Sequence, residues 1–154
     1  MKEIDEGGMM SRMAAYCSAA ERCVFDVEKK IAAAGLSKES SERITAFLLK
    51  ERYIDHERFA RCFVSDKLRF NRWGRIRLEY ELRARRIPPE ICRAAIEGIN
   101  EEEYMSILSS ELEKKMKKVG GKEAFGRLLR FAAGRGFESG ETTACLRELL
   151  EANP

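Results

Sequence analysis

Apolar residues recur along this chain with a long period. Leu36, Ile87 and Phe137 each close one helical stretch and open another, at spacings of 51 and 50 residues. Nine residues before each anchor stand Val27, Leu78 and Leu128, and five before it stand Ile31, Leu82 and Ala132. Eight residues after each anchor stand Ile44, Ala95 and Cys145, and twelve after it Leu48, Ile99 and Leu149. Steps of four put both members of each pair on one helical face. The chain therefore reads as tandem copies of a small helical unit, in which neighbours cover one another's apolar faces and the whole is elongated.

Each unit divides into three helices. Asp55 is suited to cap a helix carrying Phe59 and Phe63, and Asn100, followed by three glutamates, to cap one carrying Tyr104 and Leu108. The second helices are expected over about 20–34, 74–86 and 122–135. Ser37, Pro88-Pro89 and Ser139 then punctuate the chain before the third helices. The third unit holds extra residues between its first two helices, where Gly120-Gly121 falls. The resulting division is a disordered lead-in over 1–11, then units over 12–52, 53–99 and 100–154. No segment has the pattern of a strand.

Composition narrows the class. Of 154 residues, 36% are charged and 44% hydrophobic, which suits several thin units better than one thick core. A unit of about 45 to 50 residues is marginal alone and leans on its neighbours. No run of 18 apolar residues exists and the first residues lack the apolar core of a signal peptide, so the expectation is a cytoplasmic protein with no membrane partner. Five cysteines, Cys17, Cys23, Cys62, Cys92 and Cys145, without a C-x-x-C pair, are expected to be buried, reduced thiols. The lone His56 is expected on a helix surface. No cofactor or metal is implied. Gly120-Gly121-Lys122 lacks the upstream glycine, the following Ser or Thr and the preceding strand of a phosphate loop, and no nucleophile-base pattern supports an enzyme. The absence of heptads argues against a coiled-coil dimer, and a monomer is expected.

Charge gathers in the middle unit. From Lys67 to Arg86 there are eight basic residues against two acids, a net of +6 where the whole chain carries +3. The candidate binding residues are Lys67, Arg69, Arg72, Arg75, Arg77, Arg83, Arg85 and Arg86, with the interleaved rings Trp73 and Tyr80; Phe70 lies in the same run. Cations suit phosphates or acidic protein, and flat rings suit bases or a protein groove. With Leu78 and Leu82 inward, Arg77, Arg83, Ile76 and Tyr80 point out, a surface richer than solvation requires. A merely soluble face that also packs against the next unit is the alternative. The lysines at 114, 115, 117 and 118 read as a solvated helix end, with contact to DNA as the alternative.

Tyr53-Ile54-Asp55-His56-Glu57-Arg58-Phe59-Ala60, then Phe63, Gly74-Arg75 and Glu81-Leu82 running to Ile87, closely resembles the signature region of the RecX family of RecA regulators. Arg135-Gly136-Phe137 resembles that family's closing turn. The likeness runs from about Ala14 to Leu150 and is densest from Tyr53 to Ile99. Where many relatives have a basic residue followed by Gly, this chain has Arg85-Arg86. The resemblance implies an all-α, curved array of three three-helix units, each similar to a helix-turn-helix domain. It also implies binding in the groove of the RecA filament on single-stranded DNA, with inhibition of ATP hydrolysis, strand exchange and co-protease activity. Single-stranded DNA would be met directly or through the filament. A direct DNA-binding regulator of helix-turn-helix type is the alternative reading.

Overall fold

A computed structural model describes residues 4–120 and 123–152. Among them lie nine α-helices and no strand. The order is α1 Glu6–Ala19, α2 Val24–Ala33, α3 Lys38–Lys50, α4 His56–Asn71, α5 Arg75–Ala84, α6 Pro89–Glu97, α7 Glu101–Met116, α8 Ala124–Gly134 and α9 Ser139–Ala152. They pack as three consecutive triplets: α3 lies on α1 and α2, α4 on α5 and α6, and α7 on α8 and α9.

Local chemistry fixes the ends. The side chains of Ser37, Asp55 and Asn100 accept hydrogen bonds from the backbone N–H groups of Ser40, Arg58 and Glu103, satisfying donors that the helix leaves free. Pro89 begins α6, where its missing N–H is of no consequence. The fifty-residue pattern has its origin at the other ends. Leu36, Ile87 and Phe137 donate their N–H groups to the carbonyls of Ile31, Leu82 and Ala132, closing the same six-residue turn after α2, α5 and α8. This turn needs a left-handed residue just before the anchor, and Gly35, Arg86 and Gly136 have φ of 84°, 59° and 94°. Arg86 therefore makes the turn that glycine makes in the other two units, despite a side chain that disfavours this region.

The lead-in is shorter than expected. α1 starts at Glu6, within the span 1–11 read as disordered, because Asp5 caps it by accepting from the Gly8 N–H at 2.6 Å. Met9, Met13 and Cys17 then form a buried stripe at i, i+4 and i+8. Gly7 and Gly8 weaken the local helix signal, and packing against α3 overrides it.

Two cores result. The first unit has its own, built on Met9, Met13, Val27, Ile31, Ile44, Leu48 and Ile54. The second and third units share one, which runs from Phe59 and Phe63 through Leu78, Leu82 and Tyr104 to Phe137 and Leu149. Among the described residues, the first unit reaches that larger core through Cys23, fully buried, and Phe25. Burial lifts the Cys23 thiol to about 11. Four cysteines are buried as expected, whereas Cys62 is exposed on α4.

The junctions differ accordingly. Between the first and second units the links are made by side chains: Arg58 pairs with Glu21 at 2.6 Å, Arg86 pairs with Glu28, and the Val24 N–H donates to His56 Nε2 at 3.3 Å. His56 is thus a half-buried bridging acceptor rather than the surface residue expected. Burial holds it below the ordinary histidine range, against the opposite pull of the Asp55 carboxylate. The neutral ring is the form the fold selects. Its contribution is whole above the unfolded-chain value of about 6.5 and is lost as the pH falls through the lower folded value. The urea midpoint should therefore drop on acidification through this window, and His56→Gln should remove part of the drop; an equal drop in both proteins would show that His56 does not titrate on folding.

Between the second and third units the link is backbone on backbone. The Gly74 N–H donates to the Arg135 carbonyl at 2.7 Å and the Ile76 N–H to the Gly136 carbonyl at 3.0 Å. A Cβ on Gly74 would lie 2.5 Å from the Gly136 oxygen, and one on Gly136 would lie 2.6 Å from the Arg77 nitrogen. Only glycine permits this approach.

Candidate partner-binding surface

The surface is organised by the end of α4 and by α5. After Asn71 the chain turns through Arg72, at φ 57°, and the Trp73 N–H donates to the Lys67 carbonyl at 3.2 Å. This turn sets Trp73 against Phe63, with ring centroids 6.2 Å apart. Gly74 starts α5, which buries Leu78 and Leu82 completely. The 3.6-residue period then leaves Ile76 and Tyr80 outward, at 58% and 70% exposure, where large apolar residues are uncommon in such numbers on one turn. Clefts flank this ridge on both sides, one towards Glu79 and Arg83 and one towards Ala133 and Gly134 of α8.

The ten candidate residues separate by partner. Tyr80 lies on the open ridge, and Arg77 and Arg83 flank it with only loose intrahelical carboxylates, Glu81 at 3.9 Å and Glu79 at 3.8 Å. Arg77 also covers the Trp73 ring, 4.3 Å from its centroid, and Lys67 approaches the same ring at 5.4 Å. Trp73 is thus a packed platform between cations rather than a free ring. Arg85 is held by Glu81 and stacks on Phe63. Arg69 pairs with Glu103 at 2.6 Å and Arg72 with Glu111 at 3.6 Å, both on α7, while Arg86 reaches across to Glu28 of the first unit. These four hold helices and units together.

Arg75 departs furthest from the expectation of a contact residue. Its guanidinium is largely covered and donates to Glu138 at 2.9 Å, to Glu141 at 2.8 Å and to Glu101. It lies 3.8 Å from the ring centroid of the buried Tyr104, whose hydroxyl donates to Glu138 at 2.6 Å and accepts from the Arg75 N–H at 3.0 Å. Burial, reinforced by Glu138, lifts Glu141 above the ordinary carboxylate range. Burial would lift Glu138 as well, but hydrogen bonds from Tyr104, Glu141 and Arg75 bring it below. This cluster is a clamp between the second and third units. Phe70, 80% exposed on α4, and Ile76 belong to the open surface although neither is basic; both are found by counting the helical period from buried neighbours.

Among the described residues no group of His, Cys, Asp and Glu is placed to hold a metal, and no helix is long and apolar enough to cross a membrane. Gly121 and Lys122 of the loop resembling a phosphate site lie outside the described residues.

Known proteins resemble this chain at three levels. Residues 55–96 match the family model for the second three-helix domain of RecX. A protein of Prosthecochloris aestuarii named regulatory protein RecX is 29% identical over 155 residues, covering 97% of this chain and 99% of that protein. The protein of that name from Clostridium tetani is 26% identical over 84% of this chain, which spans 60% of its length. The fold matches a crystal structure of regulatory protein RecX with a TM-score of 0.81 at 19% identity, covering 92% of this chain and 71% of that one. It also matches the crystal structure of RecX from Lactobacillus salivarius with a TM-score of 0.80 at 15% identity, covering 94% and 96% of the two chains. The middle unit is thus similar to the second three-helix domain of RecX, within a likeness that runs the length of the Prosthecochloris protein.

Proposed function

We propose that the protein is a non-catalytic, monomeric regulator of the RecA recombinase that docks the outward face of α5 on the filament RecA forms with single-stranded DNA. The carrying observation is the ridge of Ile76 and Tyr80 between Arg77 and Arg83. Exposed aromatic and aliphatic anchors flanked by guanidinium groups are what a protein surface with apolar pockets and carboxylates recognises. The ridge stands on the second unit, which is joined to the third by backbone contacts, so it is presented by a stiff body. Three units over 12–52, 53–99 and 100–154, arranged as an elongated and curved array, would lie along the filament groove and touch adjacent protomers. Weak contacts repeated along one body then add steeply. Occupying the groove restrains ATP hydrolysis, strand exchange and co-protease activity, by excluding duplex DNA or by holding protomers against the movement that turnover requires.

The test is ATP hydrolysis by RecA on single-stranded DNA, titrated with the parent and with an Ile76→Ala/Tyr80→Ala variant. The parent should inhibit, and the variant should need at least tenfold more protein, about 1.4 kcal/mol or more of lost anchoring, while melting with the parent. Equal inhibition by both proteins would remove α5 from the interface. No inhibition by the parent would defeat the functional reading itself.

A further inference from the structure

The run from Lys67 to Arg86 draws attention to the middle unit, but ion pairing favours a different basic surface. The arginines of that unit, from Arg69 to Arg86, all have carboxylate partners. Between Lys114 and Arg135 the sequence holds eight basic residues against the single acid Glu123, a net of +7 that exceeds the +6 of the segment from Lys67 to Arg86. Among the described residues of this later segment only Lys114 has a carboxylate partner, Glu111 at 3.7 Å. Lys115, Lys117, Lys118, Arg127, Arg130 and Arg135 have none.

These cations are brought together by the fold. Lys115 at the end of α7 and Arg135 just after α8 both lie 5.2 Å from the centroid of the Phe131 ring, so the two helix ends meet around one side chain. α8 turns Leu128 and Ala132 into the core, and Arg127 and Arg130 are exposed. Their spacing of three makes them neighbours on the helix surface. Lys117 and Lys118, just after α7, are exposed. Like charges gathered without internal carboxylates repel, and an external polyanion relieves that repulsion without breaking any ion pair.

The kind of polyanion follows from what the patch lacks. The large hydrophobics exposed on the described surface are Leu49, Phe70, Ile76, Tyr80 and Leu150, and none belongs to it. A protein interface is anchored by such residues, whereas a nucleic-acid backbone is held by distributed cations alone. We propose that the end of α7 and the outward face of α8 form a second binding surface, separate from α5, for the phosphodiester backbone of DNA.

The test is fluorescence anisotropy of the whole protein with a labelled oligothymidylate, a labelled duplex and a labelled polyglutamate, each over a series of salt concentrations. The variant is Lys117→Glu/Lys118→Glu/Arg127→Glu/Arg130→Glu, with Arg83→Glu as comparator. The parent should bind DNA with a steep salt dependence. The quadruple variant should bind more than about tenfold more weakly and flatten the single-strand salt slope by about 3, since each phosphate contact contributes about 0.7. Arg83→Glu should leave the slope nearly unchanged. A stronger effect on the oligothymidylate or on the duplex would say which form of DNA is held, and either supports the surface. Should the quadruple variant melt early, the corresponding alanine variant carries the test. The proposal is overturned if the quadruple variant keeps the parent slope, if Arg83→Glu flattens it more, if the parent shows no salt-dependent DNA binding, or if polyglutamate binds as tightly as DNA. None of these outcomes bears on whether Ile76 and Tyr80 are needed for inhibition of RecA, so the two readings fail separately.

Discussion

Gly136→Ala should lower the stability of this protein by about 3 kcal/mol, because two independent penalties coincide at one residue. At φ 94° any Cβ is strained, by about 1–2 kcal/mol. The added carbon would also meet the backbone nitrogen, Cα and Cβ of Arg77, at the point where the second and third units exchange backbone hydrogen bonds. Overpacking of this kind adds about 1–3 kcal/mol. In a chain of this size the melting temperature should fall by roughly 10 °C. Gly35→Ala is the internal control. Gly35 closes the equivalent turn of the first unit at φ 84°, yet nothing lies within 4 Å of the position a Cβ would take, so it should lose only the backbone penalty. Equal losses at the two glycines, measured by thermal melting, would show that the close approach at Gly136 is relaxed in solution.

Arg75→Ala should be similarly damaging, by about 3 kcal/mol, and for an electrostatic reason. The guanidinium is the cation shared by Glu101, Glu138 and Glu141, and its removal leaves partly buried carboxylates facing one another. The pH dependence separates this cause from lost packing. Without Arg75 the repelling carboxylates would take up protons more readily in the folded protein than in the unfolded chain. Their penalty is then present at neutral pH, and the deficit should shrink as the pH falls towards the carboxylate range. Arg75→Met, which restores apolar bulk without charge, should recover little at neutral pH. A deficit that is constant with pH, or one that methionine repairs, would assign Arg75 a packing role only. In either case Arg75 is a poor residue to mutate when testing partner binding, since its loss disturbs the platform on which α5 stands.

Much of the fold is legible in the sequence because the fifty-residue pattern is the trace of one turn. Leu36 with Ile31, Ile87 with Leu82, and Phe137 with Ala132 are each joined by a backbone hydrogen bond, and an apolar contact commonly accompanies that turn. The start of α1 was hidden by Gly7 and Gly8, whose low propensity says nothing about how well Met9 and Met13 pack. The open face of α5 was also legible, since burying Leu78 and Leu82 dictates that Ile76 and Tyr80 face out. What each arginine does was not. Local composition presents Arg75 and Arg83 as equals, but the carboxylates that hold Arg75 lie 26, 63 and 66 residues further along the chain. Such partners become neighbours only through the tertiary fold, and the same holds for the scarcity of partners around α8.

The shared core of the second and third units, beside the separate core of the first, sets how the chain can be exchanged or lost in descent. A recombination break between Ile54 and Asp55 would cut no apolar cluster beyond the plug of Cys23 and Phe25, so first units could be replaced, lengthened or dropped with little injury to the remainder. A break near Asn100 would strip Tyr104, Leu108 and Phe137 from the residues they cover and expose the interior of both fragments. In heredity the three repeats therefore behave as two pieces, a single and an inseparable pair.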